Sequence, residues 1–551
     1  MTAGAIPNEL TYEQCENSSQ STFDSFRPLS LDEVKSLIMK CPSKYCLLDP
    51  APTFIIKECI EVLLPYVTKI INLSLTNGTF PSCWKCSLVI PLLKKAGLER
   101  TFNNYRPVSN LKFLSKVVES AAIRQYWEYL SVNNQLPSKN AAYRKNHSTE
   151  TILTRVYSDI LCSMDEQKGV ILTLLDLSAA FDTVDYDILD NIFEHKFKIT
   201  SSAANWFHSY LRERKQRVII DDVTSKECSL KCGVPQGSCA GPVTFISYIS
   251  SLYDVIDSFG VNVGGYADDT QLYLSFKPTP DGLTEKEAIR KMNNCVSAVR
   301  TWMLQHKLKI NDGKTEVIVI GGPIQTQKIK DCVITVGNAA VQPVKKIKNL
   351  GMIFDENVNM KDHINKVCQV GFYQLQKLKQ IRKYLDRSTT EGLVHSFITC
   401  HIDYGNVMLY GLPDVSIDKL QRLQNAAARL IALKSRRDSI SAILKDLHWL
   451  PVKFRIMFKI CLLVYKCLNG CGPDYLKDLL AFKSQPRTLR SSSDDLKLQV
   501  PRMKTESFGK RSFKYAGPDL WNELPYYIRS CDTITAFKKR LKTFYFKEAF
   551  K

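Results

Sequence analysis

The spacing of apolar residues changes character along this chain. From Leu29 it is helical: Val34, Leu37 and Ile38 share a face, Ser30 stands at the cap position and Glu33 follows three residues on. A second helix is predicted over Phe54–Thr76, ending at Asn77-Gly78, and Ser87–Leu93 reads as a strand running into Lys94-Lys95. Val170–Leu175 is a nearly continuous apolar run rich in branched residues, the pattern of a buried strand. Val261 and Val263 lead into Asp268-Asp269, and Leu272, Leu274 and Phe276 lead out at period two, which predicts two strands joined by a tight turn. A helix over Glu285–His306 and a strand over Glu316–Ile320 follow. Beyond residue 360 the period turns helical, through Ile364, Val367, Leu375, Leu378 and Leu385 and again through Leu420, Leu423, Ala427 and Leu430. The middle of the chain is therefore α+β, and the part after it is mostly α.

Charge adds a polyanionic partner to this picture. Lys and Arg number 75 against 55 Asp and Glu, a formal charge of +20. The surplus recurs at Lys94-Lys95, Arg212–Arg217, Lys377–Lys383, Arg436-Arg437 and Lys538–Lys542, so no single basic arm carries it. The N-terminus shows no secretory signal, and the most apolar short run, Ile460–Tyr465, is too short to span a bilayer and is flanked by Lys459 and Lys466. The 18 cysteines are irregularly spaced and read as reduced thiols; Cys83/Cys86 and Cys467/Cys471 lack the further ligands a structural zinc needs.

Adjacent like charges repel, and a divalent cation is the simplest partner that stabilises Asp268 and Asp269 close to a core. The alternative is an ordinary surface turn, since Asp is a common turn residue. Asp176 is the first charge after the buried run, so it emerges at a strand end; a helix N-cap is its other reading. Between these carboxylates lies CGVPQGSCAGP, Cys232–Pro242, whose glycines allow close backbone approach and whose Gln236 offers both donor and acceptor. Three converging carboxylates suit a pair of Mg²⁺ ions and an in-line phosphoryl transfer.

LLDLSAAFD, GVPQGS and YADD stand in the order and spacing of polymerase motifs A, B and C of reverse transcriptases. With VIPLLKK, NYRPVSNLKFLSKVVE, YRKNHSTET and KNLGMIFD, the chain from Phe26 onward resembles the protein of non-LTR (LINE-type, Jockey-like) retrotransposons. The resemblance implies a right-hand polymerase fold with fingers, a palm carrying an antiparallel sheet and a helical thumb, followed by a mostly α C-terminal region. It implies metal-binding roles for Asp176, Asp268 and Asp269, with Asp269 the least direct ligand. Phe181 matches the gate against a ribose 2′-hydroxyl, and Gln236 and Gly237 match the motif packed against nucleotide and template. Lys94 and Arg106 resemble residues that hold the triphosphate. Lys314 matches a lysine that protonates pyrophosphate, or is a solvated lysine after a turn. Leu350-Gly351 resembles a primer-grip segment, and Lys377, Lys379, Arg382 and Lys383 fall on a thumb helix, Lys361–Leu385, set against the duplex backbone. Asp182, Asp185 and Asp187 read as local capping and turn residues, and His147 as structural.

The expected organisation is a disordered N-terminus (1–25), a helical extension (26–80), fingers and palm (81–355), a helical thumb (356–440) and a basic C-terminal region (441–551), with a loop at Arg487–Asp495. The aromatic and basic residues of the last segment (Phe508, Arg511, Phe513, Lys514, Tyr515, Trp521) form either an aromatic core or an RNA-contacting surface. The implied activity is RNA-directed DNA polymerisation, extending a DNA 3′ end on an RNA template with dNTPs and two Mg²⁺ ions, Mn²⁺ being the substitute. The implied partners are RNA template and DNA primer or target, with no membrane, in an intracellular setting that the family places in nucleus and cytoplasm. The endonuclease usual upstream in that family is not expected here, and a catalytically silent nucleic-acid-binding protein derived from the element is the alternative. Ala240, Asn140 and Ser250-Ser251 depart from the family pattern without removing a catalytic group.

Overall fold

A computed structural model describes residues 21–43, 46–177, 180–329, 332–483 and 496–551. The loop expected at Arg487–Asp495 lies outside the described residues, as does most of the N-terminal stretch expected to be disordered. The fold is mixed α and β. It divides into two compact units, each assembled from segments far apart in sequence: Met1–Pro137, Leu177–Asp254 and Thr301–Lys309 form one, and Ser138–Asp176, Val255–Arg300 and Ile310–Lys551 the other. Among the described residues no helix is long and apolar enough to cross a membrane.

The first unit opens on the helix Leu31–Lys40, capped as its sequence predicts. Ser30 and Glu33 form a reciprocal capping box, and Arg27 pairs with Glu33. The second predicted helix forms as Thr53–Glu58 and Ile60–Thr76, interrupted at Cys59, where ψ is 16°. The strand Cys86–Leu93 pairs antiparallel with Tyr105–Asn110 and parallel with Lys215–Ile220. An aromatic cluster fills the interior: Trp206 stacks on Tyr210 at 5.5 Å, and Phe80 meets both edge-on.

The second unit holds a four-stranded antiparallel sheet of β1 (Gly169–Leu175), β2 (Asn262–Tyr266), β3 (Asp269–Phe276) and β4 (Glu316–Ile320), in the order β2-β3-β1-β4. β1 is central and almost wholly buried, which explains its unbroken apolar run. Helix α1 (Thr149–Asp165) packs against β1 and β2. One continuous apolar core runs from Ile152 on α1 through Leu172 and Ile318 of the sheet to Trp521, Phe537 and Tyr545 near the C-terminus. The aromatic-core reading of the last segment therefore holds. Trp521 and Phe513 are buried, and Tyr465 on helix α3 (Val452–Leu468) stacks on Phe537 at 4.1 Å. Arg511 is buried and bonds the Tyr157 hydroxyl and the Val358 carbonyl, while Asp165 at the end of α1 accepts the backbone N–H groups of Lys504 and Thr505.

Between α1 and α3 in sequence lies helix α2 (Lys361–Ile381), which ends four residues before the expected Leu385 and continues as a single 3₁₀ turn over Arg382–Tyr384. His363 in its first turn is 5% exposed, and its Nδ1 accepts the Ile353 N–H at 3.4 Å, so the ring carries its proton on Nε2. Burial lowers its pKa to about 4 from 6.5. An unfolded chain takes up this proton below pH 6.5 and the folded chain does not, so stability falls as pH drops from 6.5 to about 4, by about 3 kcal/mol. Urea unfolding of His363→Gln and the parent at pH 7 and pH 4.5 should show the variant losing less stability on acidification; equal losses would contradict this.

Candidate active site

The register of β1 and β3 builds the carboxylate cluster. Leu175 pairs with Thr270, so continuing the ladder by one residue sets Asp176 beside Asp269. On the other edge of β3, Tyr266 pairs with Asp269, leaving Ala267 and Asp268 as a two-residue turn. Ala267 has φ +56°, a conformation that glycine favours at this position, so the hairpin carries local strain at the residue just before the two acidic ones. Asp176 is held by its own carbonyl, which accepts the Asn311 N–H at 2.9 Å.

The Asp269 carboxyl is pushed up to about 6 by lost hydration first and then by the charges of Asp268 and Asp176, with Lys314 acting in the opposite direction. Lys314 Nζ lies 3.0 Å from Asp176 Oδ2 and is otherwise largely exposed. The hairpin, Asp176 and Lys314 thus come together within one unit. The donors are all carboxylate oxygens, the hard ligands that suit Mg²⁺ or Mn²⁺. Among the described residues no three His, Cys, Asp or Glu side chains are gathered as a ready ligand set.

The remaining sequence-predicted residues Phe181, Gln236, Gly237, Lys94 and Arg106 lie in the other unit. Phe181 is half-buried and stacks on Phe245 at 4.5 Å. Gln236 Nε2 donates to both carboxylate oxygens of Asp182 at 3.1 Å, and its carbonyl accepts the Ser109 N–H at 2.8 Å. Gly233 (φ +86°) and Gly237 (φ +117°) are required by close approach: a Cβ would sit 2.7 Å from the Asp182 carbonyl at the first and 2.8 Å from the Ser109 carbonyl at the second. Lys94 donates from Nζ to the Asn103 carbonyl at 2.7 Å, and Arg106 is exposed on its strand opposite Leu92.

Asp182 is not a capping residue. Burial pushes its carboxyl up, against the Gln236 amide and the Lys94 charge, and its bonds anchor the glycine-rich loop. Asp185 does cap the helix Tyr186–His195 and pairs with Lys307, and Asp187 pairs with Arg212. His147 packs on the ring of Tyr475, in keeping with its structural reading. Sequence reasoning missed Glu119, which is fully buried and accepts the Cys239 N–H at 2.7 Å and the Ala240 N–H at 3.3 Å. Its signal was a lone acid inside the apolar run KVVESAA. It also missed Tyr404, whose hydroxyl donates to the Leu350 carbonyl and accepts from Thr149 Oγ1 at 3.0 Å.

On α2, Lys377 lies over the Tyr373 ring at 4.5 Å, and on the 3₁₀ turn that follows, Lys383 lies over Tyr384 at 4.8 Å. Both lysines and Lys379 are exposed. Arg382 is buried, and its guanidinium bonds the carbonyls of Leu385, Leu430 and Ile431, so it fastens the helix end and offers nothing to a duplex.

Residues 93–354 match the family model described as reverse transcriptase (RNA-dependent DNA polymerase). The chain is 24% identical over 441 residues to the RNA-directed DNA polymerase from mobile element jockey of Drosophila melanogaster, covering 77% of this chain and 46% of that protein. It is 25% identical over 423 residues to the probable RNA-directed DNA polymerase from transposon BS of the same organism, covering 74% and 45%. Among solved structures, apo telomerase from Candida Tropicalis truncated from its C-terminal domain aligns with a TM-score of 0.35 at 12% identity, over 55% of this chain and 59% of that one. The matched segment, carrying the strand-end Asp176 and the Asp268-Asp269 hairpin, is a reverse transcriptase domain. More narrowly, the chain is similar to the RNA-directed DNA polymerases of Jockey-like non-LTR retrotransposons. It spans about half the length of the curated relatives it matches.

Proposed function

We propose that this chain is an RNA-directed DNA polymerase that extends a DNA 3′ end along an RNA template, with the catalytic chemistry at Asp176, Asp268 and Asp269. The observation that carries the reading is the strand register that sets Asp176 beside the acidic hairpin. Two Mg²⁺ ions held by these carboxylates would supply Lewis-acid activation of the primer hydroxyl and charge neutralisation at the departing pyrophosphate. Asp176 and Asp268 serve as the principal ligands, and the strained turn at Ala267 holds Asp268 forward. Lys314 Nζ lies 3.0 Å from Asp176 Oδ2, and we assign it to protonating pyrophosphate as it leaves.

Phe181 excludes the ribose 2′-hydroxyl by bulk, its ring fixed by Phe245. Gln236 and Gly237 position nucleotide and template, with Asp182 locking the Gln236 amide. Lys94 and Arg106 bind the triphosphate. The fold is assigned as a right hand, with fingers and palm over 81–355, a thumb over 356–440 and a helical region beyond. On the thumb, Lys377, Lys379 and Lys383 meet the duplex backbone.

The test is purified protein with primed poly(rA), Mg²⁺ and either dTTP or UTP. The reading requires dTTP incorporation. Tight, salt-sensitive RNA binding without synthesis would instead favour a silent nucleic-acid-binding protein. Phe181→Val should lower the dNTP/rNTP selectivity ratio by about tenfold or more, since a steric gate works through a clash that the smaller side chain removes. An unchanged ratio would refute the gate assignment.

A further inference from the structure

The open edge of the carboxylate-bearing sheet carries one more extended segment, and it ends in an exposed ring. The Gly265 N–H on β2 donates to the Lys139 carbonyl at 2.8 Å, and the Gly265 carbonyl accepts the Ala141 N–H at 2.9 Å. Asn140 and Gly265 thereby form a parallel bridge, so residues 139–141 lie beyond β2 in the order 139–141, β2, β3, β1. Three residues on from that bridge, the one chain reaches Tyr143 and the other Asp268.

A turn anchored from below delivers this ring. Asn140 is wholly buried; its Oδ1 accepts the Ala142 N–H at 2.9 Å and its carbonyl accepts from Arg144 at 3.3 Å. Ala141 and Ala142 are buried as well, whereas Tyr143 is 49% exposed. Its φ is +58°, a backbone that a bulky residue adopts at a cost and glycine adopts freely. Burial first, and then the Asp268 charge and Tyr266, raise the pKa of its phenol.

Building on the polymerase reading, we propose that Tyr143 is a further substrate-contacting residue, against which the 3′-terminal nucleotide of the primer packs. In an in-line phosphoryl transfer the attacking and leaving oxygens stand on opposite sides of phosphorus. Lys314, assigned to the pyrophosphate, stands beside Asp176 at the β1 side of the cluster. Tyr143 stands at the other side, past the edge of β2, where the attacking primer hydroxyl belongs. An exposed phenol ring offers a flat apolar face to a base or a deoxyribose, and it does so for any base, as a primer end requires. The strained turn holds that face beside the acidic hairpin at the expense of local stability.

The test uses the full chain with poly(rA) primed by oligo(dT), Mg²⁺ and dTTP, the primed template and dTTP being varied separately. Tyr143→Gly removes the ring and relieves the backbone, so the midpoint of thermal unfolding should stay level. The KM for primed template should rise about tenfold, with the KM for dTTP unchanged. Tyr143→Phe, which keeps the ring, should restore the parent KM. Fluorescence anisotropy without dTTP reads the same contact apart from synthesis: Tyr143→Gly should weaken binding of primed poly(rA) about tenfold and leave unprimed poly(rA) unaffected. A parent chain that binds the primer end through this ring but makes no DNA would contradict the polymerase reading and uphold the contact. Equal affinities of parent and Tyr143→Gly for primed template, an equal loss on primed and unprimed RNA, or a change in the KM for dTTP instead would overturn the proposal.

Discussion

Asp268→Ala should lower primer extension by about 10³-fold or more, equivalent to about 4 kcal/mol of transition-state stabilisation. The loss should appear in kcat, since the carboxylate acts on charge that develops during the reaction, while affinity for the template changes little. The same substitution should not destabilise the fold. Three like charges share the end of β1 and the β2–β3 turn, and the pKa of Asp269 is raised by burial first and then by the charges of Asp268 and Asp176. Removing one relieves their repulsion, so the midpoint of thermal unfolding should stay level or rise. A site that stores electrostatic strain for function behaves in this way. Asp268→Asn, which keeps the turn geometry and loses only charge, should show the same catalytic defect. A variant that kept wild-type kcat would remove Asp268 from the mechanism.

Glu119→Ala should destabilise the unit that carries it by about 3–5 kcal/mol. Glu119 is fully buried, with its Oε2 accepting two N–H groups of the glycine-rich loop and its Oε1 accepting from Ser115. Burial raises its pKa, and the nearby Arg214 charge opposes that rise. Arg214 is itself fully buried, with the Tyr210 carbonyl and the rings of Tyr210 and Phe80 around it and two donors unmet. Deleting Glu119 strands that cation and orphans both loop donors at once. Glu119→Gln keeps an acceptor for the loop and should cost less. Urea denaturation reads both effects, and a change below about 1 kcal/mol for the alanine variant would show that Arg214 does not depend on Glu119.

What the sequence made legible follows the range of the interactions. β1 and β4 were readable because a strand buried on both faces writes a continuous apolar run, and the β2–β3 hairpin because its period-two faces flank a short polar turn. The Ser30 capping box is equally local. The two units were not readable, since segments such as 177–254 and 301–309 come together only in three dimensions. The same holds for the clasp of Asp182 on Gln236, fifty-four residues apart, and for Glu119 beneath the loop at Cys239. Arg382 looked like one more base on a basic helix; the helix ends just before it, and the 3₁₀ turn sends it inward to carbonyls. The C-terminal segment read as a basic appendage, yet its aromatic residues share one core with the sheet, and its Arg511 bonds Tyr157 some hundreds of positions away.

The central claim is template-directed DNA synthesis at the carboxylates of β1 and the β2–β3 turn. Its most direct measurement is sequencing of the product formed by the full chain on a heteropolymeric RNA with an annealed DNA primer, all four dNTPs and Mg²⁺. The account predicts cDNA complementary to the RNA, absent with Asp268→Ala and absent when the metal is chelated. No extension by the wild-type chain, or product whose sequence is independent of the RNA, would contradict it.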